Sequence, residues 1–378
     1  MSKLNGWLSG VRVLDLSRYL PGPLAGMLLA DLGAEVLKIE GPTGDEMQEL
    51  GPRDANNQPI FYPSVNAGKT ARRMNLKDAA ERGEFLRLVA ASDVLLETFR
   101  PGVMTKLGLG WETLRATNPR LVYCALSGYG ATGPLKGAAG HDANYLALTG
   151  ILHRQMGGNA NYFDPPLADN AGALFAVIAI LGALRARDRD GTGCEIDMGL
   201  ADAVIPLQTF QVADYGARHY SPGPDETYLN GGAAWYRVYR TRDGRHAALG
   251  AAGDKFWRRF CEAAHHPEWI ERGAETMPQH VLIGEVQALF SGLTLAESVE
   301  RFEPADCCFS PVLTLAEALS SEQCRERQLV RRAADGALQA LFPAWVDGQP
   351  PATRLPLRTG SGGFQSSANE CGDPSLWR

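Results

Sequence analysis

The sequence lacks the short motifs that mark many nucleotide- and metal-dependent enzymes. No GxGxxG follows the first predicted strand and no GxxxxGK(S/T) occurs, so ordinary dinucleotide binding and nucleotide hydrolysis lose their best support. The seven cysteines form no CxxC motif and no Cys/His spacing typical of a zinc site. We therefore expect no metal centre and reduced cysteines that mostly fill the core, and we leave the role of the Cys307-Cys308 pair open.

The sequence also lacks an excess of positive charge, a long apolar run and a recognisable export signal. Its net charge of -6 argues against a general role at nucleic acids or membrane surfaces. The longest apolar run, Ala171 to Leu184, is too short to span a bilayer and is typical of a buried helix. The first residues hold no long apolar stretch with a cleavage site, so we expect a cytoplasmic protein without nucleic-acid or membrane partners.

Strand-like and helix-like segments alternate up to about residue 130, which predicts an α/β fold with a parallel sheet covered by helices. We interpret Pro21-Gly22-Pro23 as an irregular segment that separates the first strand from the first helix, and Asp78 as a helix N-cap. Ligands of such sheets bind at the carboxyl ends of the strands, here the segments that begin at Ser17 and Phe99 among others. The predicted strands cover 11–16, 34–39, 94–99 and 121–126, and the predicted helices cover 24–32, 78–91 and 111–117.

Later segments predict a smaller second unit. Residues 228–320 have an α+β pattern, in which 235–240 and 246–250 flank an Arg242-Asp243-Gly244 turn and predict a β-hairpin. Residues 330–378 are weakly periodic, which predicts a tail that wraps over the surface or frays.

The first candidate for chemistry is His141, where a glycine-rich loop meets a helical pattern in the segment Gly140-His141-Asp142. A histidine at this place can act as a general base, because its unperturbed pKa is near neutrality. The alternative is a structural histidine followed by Asp142 as the helix cap. The residues alone leave both interpretations open.

The second candidate is Asp169, just before the apolar run. Its structural interpretation is the N-cap of that helix. Its functional interpretation is a buried carboxylate beside a helix N-terminus, usable as a base or a nucleophile. The two interpretations are compatible.

Basic residues are concentrated between positions 69 and 106. Arg100 follows a predicted strand, where an anion site is expected. A phosphorylated ligand would account for the cluster, and the alternative is a solvated charged surface, which we favour for Arg72 and Arg73. The cluster consists of Lys69, Arg72, Arg73, Lys77, Arg100 and Lys106.

Several segments, in this order, resemble the family III CoA-transferase superfamily. They are LSGVRVLDLSRYLPGPLAGMLLADLGAEVLKIEGPTGD, NAGKTARRMNLK, DVLLETFRPGVMTKLGLG, NPRLVYCALSGYGATGP and PVLTLAEAL. The resemblance runs from about residue 7 to residue 330. The segment AGHDANYLALTGIL, in which GHD is followed by Asn-Tyr, resembles the α-methylacyl-CoA racemase branch, as do LADNAGALFAVIAILGAL and LNGGAAWYRVYRTRDG.

The resemblance implies an architecture that composition does not reveal. It implies a Rossmann-like large domain over 1–200, a linker over 201–227, a small α+β domain over 228–325, and a C-terminal segment over 326–378 that returns to the large domain. It also implies an interlocked homodimer whose active site lies where the large domain of one chain meets the small domain of its partner. No metal and no cofactor are implied, because coenzyme A is part of the substrate.

The same resemblance assigns roles to individual positions. The catalytic pair of the racemases falls on His141 and Asp169, with Asp142 in support. Asp169 is also the position of the nucleophile in the CoA-transferases of the family. The basic positions that contact CoA fall on Lys77, Arg100 and Lys106.

Three functions follow as hypotheses. The first is racemisation or epimerisation of a 2-methylacyl-CoA by 1,1-proton transfer through an enolate, whose oxygen would be bound by backbone N–H groups at the helix that follows Asp169. The second is CoA transfer between a thioester and a carboxylic acid, through an aspartyl-CoA intermediate on Asp169. The third is an acyl-CoA-binding module without chemistry.

Two departures from the racemase pattern bear on this choice. The supporting Glu of the racemases falls on Gly253, and the Gly253-Asp254 pair resembles the transferase branch instead. The aromatic residue that usually follows the catalytic Asp is Asn170. The acyl group itself is open, and we expect its pocket to involve Met156, Trp235 and Tyr236.

Overall fold

The structure of the protein is a computed structural model that describes residues 3–155 and 162–359. These residues form two compact units. The sheet unit comprises 3–149, 163–207 and 322–359, and the small unit comprises 150–155, 162 and 208–321. Met156 and the end of the predicted tail, 360–378, lie outside the described residues.

The secondary structure alternates in the first part of the chain, as the sequence predicts. The strands are β1 Arg12–Asp15, β2 Glu35–Glu40, β3 Thr70–Arg73, β4 Val94–Glu97, β5 Val122–Ser127, β6 Cys194–Gly199, β7 Tyr236–Arg240, β8 His246–Gly250, β9 Phe309–Pro311, β10 Val330–Arg332, β11 Leu338–Ala340 and β12 Arg358–Thr359. The helices are α1 Pro21–Asp31, α2 Phe61–Asn66, α3 Ala79–Ala90, α4 Val103–Lys106, α5 Trp111–Thr117, α6 Asp142–Leu148, α7 Leu167–Asp190, α8 Leu200–Val204, α9 Thr209–Arg218, α10 Asp254–Ala264, α11 Trp269–Arg272, α12 His280–Ser291, α13 Leu295–Phe302, α14 Leu315–Ser320 and α15 Glu322–Arg327. Short 3-10 helices cover Lys3–Gly6, Glu46–Gln48, His153–Gln155 and Pro206–Gln208.

The sheet unit is built on a seven-stranded sheet with the order β12-β3-β2-β1-β4-β5-β6. Every neighbouring pair is parallel, which confirms the predicted parallel sheet. Strands β1 to β6 follow the 3-2-1-4-5-6 order of doubly wound folds, and that order reverses between β1 and β4. The carboxyl ends of these two strands therefore border the crevice in which such sheets bind ligands.

Successive side chains of the central strands point to opposite faces of the sheet, so alternate residues lie in two different layers of packing. Leu14, Leu37 and Leu95 belong to a buried core with residues of α3 and α5. Asp78 caps α3 as predicted, since its Oδ1 accepts hydrogen bonds from Ala80 N at 2.9 Å and from the following N–H. The predicted helix over 111–117 is also confirmed.

The opposite face holds a chain of buried charges at the carboxyl ends of β1 and β2. Lys69 Nζ donates to Asp15 Oδ2 at 2.8 Å, and both side chains are completely inaccessible to solvent. Lys38 Nζ lies 2.8 Å from Asp45 Oδ2 and donates to Ser17 O, also at 2.8 Å. Burial opposes ionisation of Asp15, but the two ammonium groups outweigh it and hold the pKa of Asp15 below its usual value.

Two expectations are corrected in this part of the sheet unit. Pro21-Gly22-Pro23 is not an irregular segment but begins α1, because proline is well tolerated in the first turn, where its missing N–H has no helical partner. Lys69, expected in an anion site, is used by the buried ion pair. Arg73 of strand β3 is exposed, as expected, and its neighbour Arg72 is half-buried and donates from Nη2 to Glu84 Oε1 at 2.6 Å.

Helix α7 is longer than the apolar run that predicts it. It extends over 24 residues, because the charged segment after Leu184 continues the helix to Asp190, next to the left-handed Gly191. By length and composition this helix is long and apolar enough to cross a membrane, a test that core helices also pass. Within the sheet unit it packs against α1, β5 and β6.

The C-terminal part of the described chain adds to the sheet unit. Strand β12 pairs in parallel with β3 at the edge of the sheet, and β10 and β11 form an antiparallel hairpin. Arg354 makes two 2.7 Å hydrogen bonds to the carboxylate of Asp31 at the end of α1, and both side chains are buried. This bidentate pair holds the segment before β12 against α1.

The small unit is an α+β structure around an antiparallel sheet with the order β7-β8-β9. The predicted hairpin is confirmed by β7 and β8. The core of the small unit contains seven buried aromatic side chains, of which Phe260, Phe290 and Phe302 are completely buried. Three of the six cysteines of the described residues, Cys307 included, are buried.

Candidate active site

A cavity of about 330 Å³ opens in the sheet unit at the point where the strand order reverses. Its walls come from the segments after β1, β4 and β5 and from the starts of α7 and α8. The residues that line it are Arg18, Tyr19, Pro21, Thr98, Phe99, Arg100, Pro101, Leu126, Ser127, Gly128, Tyr129, Lys136, Ala138, Ala139, Gly140, His141, Tyr145, Asp169 and Leu200. The predicted catalytic residues His141 and Asp169 thus line one cavity, together with Arg100.

The turn after β1 forms one wall of the cavity and is held in place by the buried charges of Asp15 and Lys38. Asp15 Oδ1 accepts from Ser17 N at 2.9 Å, and Lys38 Nζ donates to Ser17 O. Arg18 N donates to Thr98 Oγ1 at 2.8 Å, which ties this turn to the segment after β4. Tyr19 adopts a left-handed backbone conformation with φ of 62°, so the turn is held in a shape that a free chain rarely adopts.

His141 lies at the junction between the loop after β5 and helix α6. Its backbone N–H donates to Asn144 Oδ1 at 3.0 Å, which fixes the start of the helix, and its side chain is exposed. The preceding Gly140 packs tightly, since a Cβ atom there would lie 2.6 Å from Tyr129 Oη and 2.8 Å from Tyr145 Cε1. Tyr145 Oη donates to Gly140 O at 2.6 Å, so any larger residue before His141 would displace this junction.

Asp142 joins the two helices that carry the catalytic candidates. Its Oδ1 accepts from Ala168 N at 2.7 Å and from Asp169 N at 3.1 Å, so a residue of α6 caps the N-terminus of α7. The expected cap by Asp169 is wrong: Pro166 is the N-cap, and Asp169 lies inside the first turn of α7. Because Asp142 follows His141 and binds the N–H of Asp169, the two candidates are held close together.

The same contact rules out part of the expected enolate site. The N–H groups of Ala168 and Asp169 are already bound by Asp142, and the N–H of Asn170 donates to Pro166 O at 3.2 Å. The amide of Asn170, which replaces an aromatic residue of the racemase pattern, donates to the same carbonyl. These three N–H groups are therefore not available to an enolate oxygen.

The environment of Asp169 makes its carboxyl group weakly acidic. Burial raises the pKa of Asp169 to about 7, and the nearby negative charge of Asp142 adds to the effect. A carboxyl group with a pKa near neutrality exists in both protonation states under physiological conditions, so it can accept a proton or donate one. With a histidine lining the same cavity, this arrangement suits transfer of a proton to and from one carbon atom.

Of the three basic residues expected to contact CoA, one lines the cavity. Arg100 lines the cavity, whereas Lys77, just before α3, and Lys106, at the end of α4, are exposed and are not part of its lining. Two further cations, Arg18 and Lys136, line the cavity but were not singled out from the sequence. The position of Arg18 at the end of the first predicted strand was the signal that could have identified it.

The position of the missing racemase Glu lies in the small unit. Gly253 immediately precedes α10 with φ of 104° and ψ of 138°, a conformation that residues with a side chain rarely adopt. A glutamate at this position would therefore strain the backbone as it stands. Asp254 begins α10 and is exposed, and with Trp235 it lines a separate cavity of the small unit.

A search of residues 3–155 and 162–359 finds no group of three or more His, Cys, Asp or Glu side chains that could hold a metal ion.

Comparison with known proteins identifies the group to which the chain is similar. The family model of CoA-transferase family III matches residues 8–357. Alpha-methylacyl-CoA racemase of Mus musculus is 34% identical over 85% of this chain and 81% of its own length. Succinyl-CoA:glutarate CoA-transferase of the same species is 32% identical over 85% of this chain and 76% of its own. The crystal structure of a CAIB/BAIF family protein from Brucella suis superposes with a TM-score of 0.80 and 27% identity, over 93% of this chain and 96% of that one.

The raised pKa of Asp169 predicts how its replacement affects stability. In the unfolded chain Asp169 loses its proton near its ordinary pKa of 3.8, and in the folded chain only near 7. The stability that Asp169 contributes is therefore fully present below about pH 4 and is lost as the pH rises through 7. We expect Asp169→Asn to raise the Tm relative to the parent protein by roughly 2 to 6 °C at pH 8, and by less at pH 5.

The measurement is thermal unfolding by circular dichroism at both pH values, with Glu300→Gln as a matched control at an exposed carboxylate of α13. The control should give the same Tm as the parent at either pH. An Asp169→Asn difference that does not depend on pH would show that the carboxyl group of Asp169 has an ordinary pKa.

Proposed function

The chain belongs to CoA-transferase family III, and on that basis we propose that it racemises or epimerises 2-methylacyl-CoA thioesters. The observation that carries this proposal is the pairing of His141 with a weakly acidic Asp169 in one cavity. The similarity to mammalian alpha-methylacyl-CoA racemase gives it further support. Coenzyme A enters as part of the substrate.

The proposed reaction moves one proton at the carbon next to the thioester carbonyl. One of the two residues removes the proton from one face, which leaves an enolate, and the other returns a proton to the opposite face. Both residues must exist in acid and base forms for the reaction to run in either direction. The pKa of Asp169 near 7 satisfies this condition, because its acid and base forms are then close in free energy.

The first test is deuterium incorporation from D2O. One enantiomer of a 2-methylacyl-CoA is incubated with the protein in the absence of any acceptor carboxylate, and the product is analysed by mass and on a chiral column. We expect deuterium at the α-carbon and loss of optical purity. His141→Ala and Asp169→Ala should each reduce exchange by at least about 100-fold, because each removes one acid–base partner.

Binding of CoA is the control for these variants and should survive both substitutions. Full exchange activity in either single variant would contradict the assignment of the pair. No exchange by the parent protein would contradict racemisation itself.

A specific observation favours CoA transfer as a second candidate. The backbone at Gly253 is unsuited to the glutamate of the racemase pattern, and the similarity to succinyl-CoA:glutarate CoA-transferase is of nearly the same degree as that to the racemase. In this reaction the carboxylate of Asp169 attacks the acyl-CoA. The resulting mixed anhydride is opened by the CoA thiolate, which leaves an aspartyl-CoA thioester and releases the first acid.

Trapping distinguishes this candidate from the first. The protein is incubated with an acyl-CoA and then with hydroxylamine, and the peptide that contains Asp169 is analysed by mass. CoA transfer predicts a hydroxamate on Asp169, whereas racemisation predicts an unmodified peptide. His141→Ala should retain the adduct, because His141 has no covalent role in this mechanism.

We also propose that the protein is an interlocked homodimer, as the family resemblance implies. Helix α9 buries none of its residues within the described part of the chain, and Phe210 and Tyr215 are 72% and 55% exposed. Exposed aromatic side chains of this kind are typical of an interface. Sedimentation velocity should give a dimer that Phe210→Glu weakens and Val281→Glu, at an exposed position of α12, leaves intact. A monomeric parent protein would overturn the proposal.

A further inference from the structure

We infer that Arg18 binds a second carboxylate on the acyl group, so that the substrate is the mono-CoA thioester of a branched dicarboxylic acid. This inference deepens the proposed function and rests on it, because it takes the reacting carbon to lie beside Asp169. The contact between Arg18 and a carboxylate does not depend on whether the reaction is proton transfer or CoA transfer, whereas the branch next to the thioester follows from proton transfer.

The charge of the cavity is the first observation. Arg18, Arg100 and Lys136 contribute three cations to its lining, and Asp169 is the one acidic residue among the described lining residues. Asp169 is moreover protonated about half of the time near neutral pH, given its pKa of about 7. A cavity with this excess of positive charge favours an anionic ligand.

The size of the cavity limits which part of an acyl-CoA it can hold. About 330 Å³ is at the small end of the range for ligand sites and leaves room for the acyl group and the thioester rather than for the whole molecule. The nucleotide end of CoA must therefore extend outside the cavity. A cation of the cavity lining is then left to contact the acyl end.

Arg18 is the cation that is best positioned for this contact. Arg100 and Lys136 are exposed, whereas Arg18 is partly buried and its guanidinium carbon lies 5.4 Å from the centre of the Phe99 ring. Its backbone N–H is bound by Thr98 Oγ1, and the residue before it is held by the buried charges. An arginine on a rigid backbone with its guanidinium carbon over a ring is suited to bidentate recognition of a carboxylate.

Most N–H donors of the Arg18 guanidinium have no hydrogen-bond partner among the described residues. Within the described residues its side chain makes a single hydrogen bond, from Nη1 to Glu46 Oε1 at 3.0 Å. The carboxylate of Glu46 is 54% exposed, and solvent-exposed ion pairs of this kind are weak. A substrate carboxylate can therefore share the guanidinium with Glu46 or displace it.

The test compares two acyl-CoAs that differ in one group. In 2-methylsuccinyl-CoA a carboxylate replaces the terminal methyl of 2-methylbutanoyl-CoA, and the CoA part is identical. Binding of each, and of free CoA, is measured by isothermal titration calorimetry on the full chain with Asp169→Asn, which prevents turnover. Arg18→Met removes the charge at similar length, Arg18→Lys keeps it without the planar fork, and Arg115→Met on α5 is the control for loss of an exposed arginine.

We expect 2-methylsuccinyl-CoA to bind about 10- to 100-fold more tightly than 2-methylbutanoyl-CoA, which is the usual effect of a charged hydrogen bond. Arg18→Met should abolish this preference and leave the affinity for 2-methylbutanoyl-CoA unchanged. Arg18→Lys should retain part of the preference, and Arg115→Met all of it.

Two results would overturn the inference. One is equal binding of the two acyl-CoAs by the Asp169→Asn protein that keeps Arg18. The other is an Arg18→Met variant that loses affinity equally for both acyl-CoAs and for free CoA, which would place Arg18 at the CoA phosphates. A preference that depends on Arg18, in a protein without deuterium exchange, would instead contradict racemisation while the inference stands.

Discussion

The ion pair between Lys69 and Asp15 is the interaction on which the geometry of the cavity depends. Both side chains are fully buried at the end of β1, and the ammonium group also donates to Pro23 O in the first turn of α1 and to Asn66. A buried charge without its partner is strongly destabilising, so these elements can pack only in the arrangement that satisfies every bond. The turn that carries Arg18 is held in place as well, because the preceding Ser17 is hydrogen-bonded to the buried side chains of Asp15 and Lys38.

A second constraint is the cap that Asp142 provides to α7. Helix capping is ordinarily a matter of stability, but here the cap comes from the neighbouring helix and brings His141 to Asp169. Burial raises the pKa of Asp169 and the same carboxylate adds to the effect, so one residue contributes both to the position and to the acidity of the proposed acid–base pair. The first turn of α7 is both the helix end that Asp142 caps and the place where Asp169 lies. The same contact therefore affects the stability of the helix and the proposed chemistry.

Much of the parallel sheet could be predicted, and the failures have physical reasons. Strands β1, β2, β4 and β5 are almost entirely buried and each contains consecutive apolar residues, a pattern that is visible in a sequence. Strand β3 contains two arginines and lies near the edge of the sheet, where Arg72 can reach Glu84. Because of this charge, the sequence does not show the apolar pattern of a strand there. The effect of Pro21 and Pro23 was misjudged because it depends on whether a proline lies in the first turn of a helix or interrupts the helix further on.

What the sequence by itself determined is the set of local choices: the strand and helix alternation, the hairpin of β7 and β8, the cap at Asp78, and the candidates His141 and Asp169. Each depends on neighbours a few residues away, so periodicity and residue type suffice to identify it. Only the tertiary structure decided that Lys69 is buried, that Asp142 rather than Asp169 caps α7, and that Arg18 shares a cavity with Asp169. Their partners lie 26 to 151 positions away along the chain, and their energies depend on burial that exists only after folding.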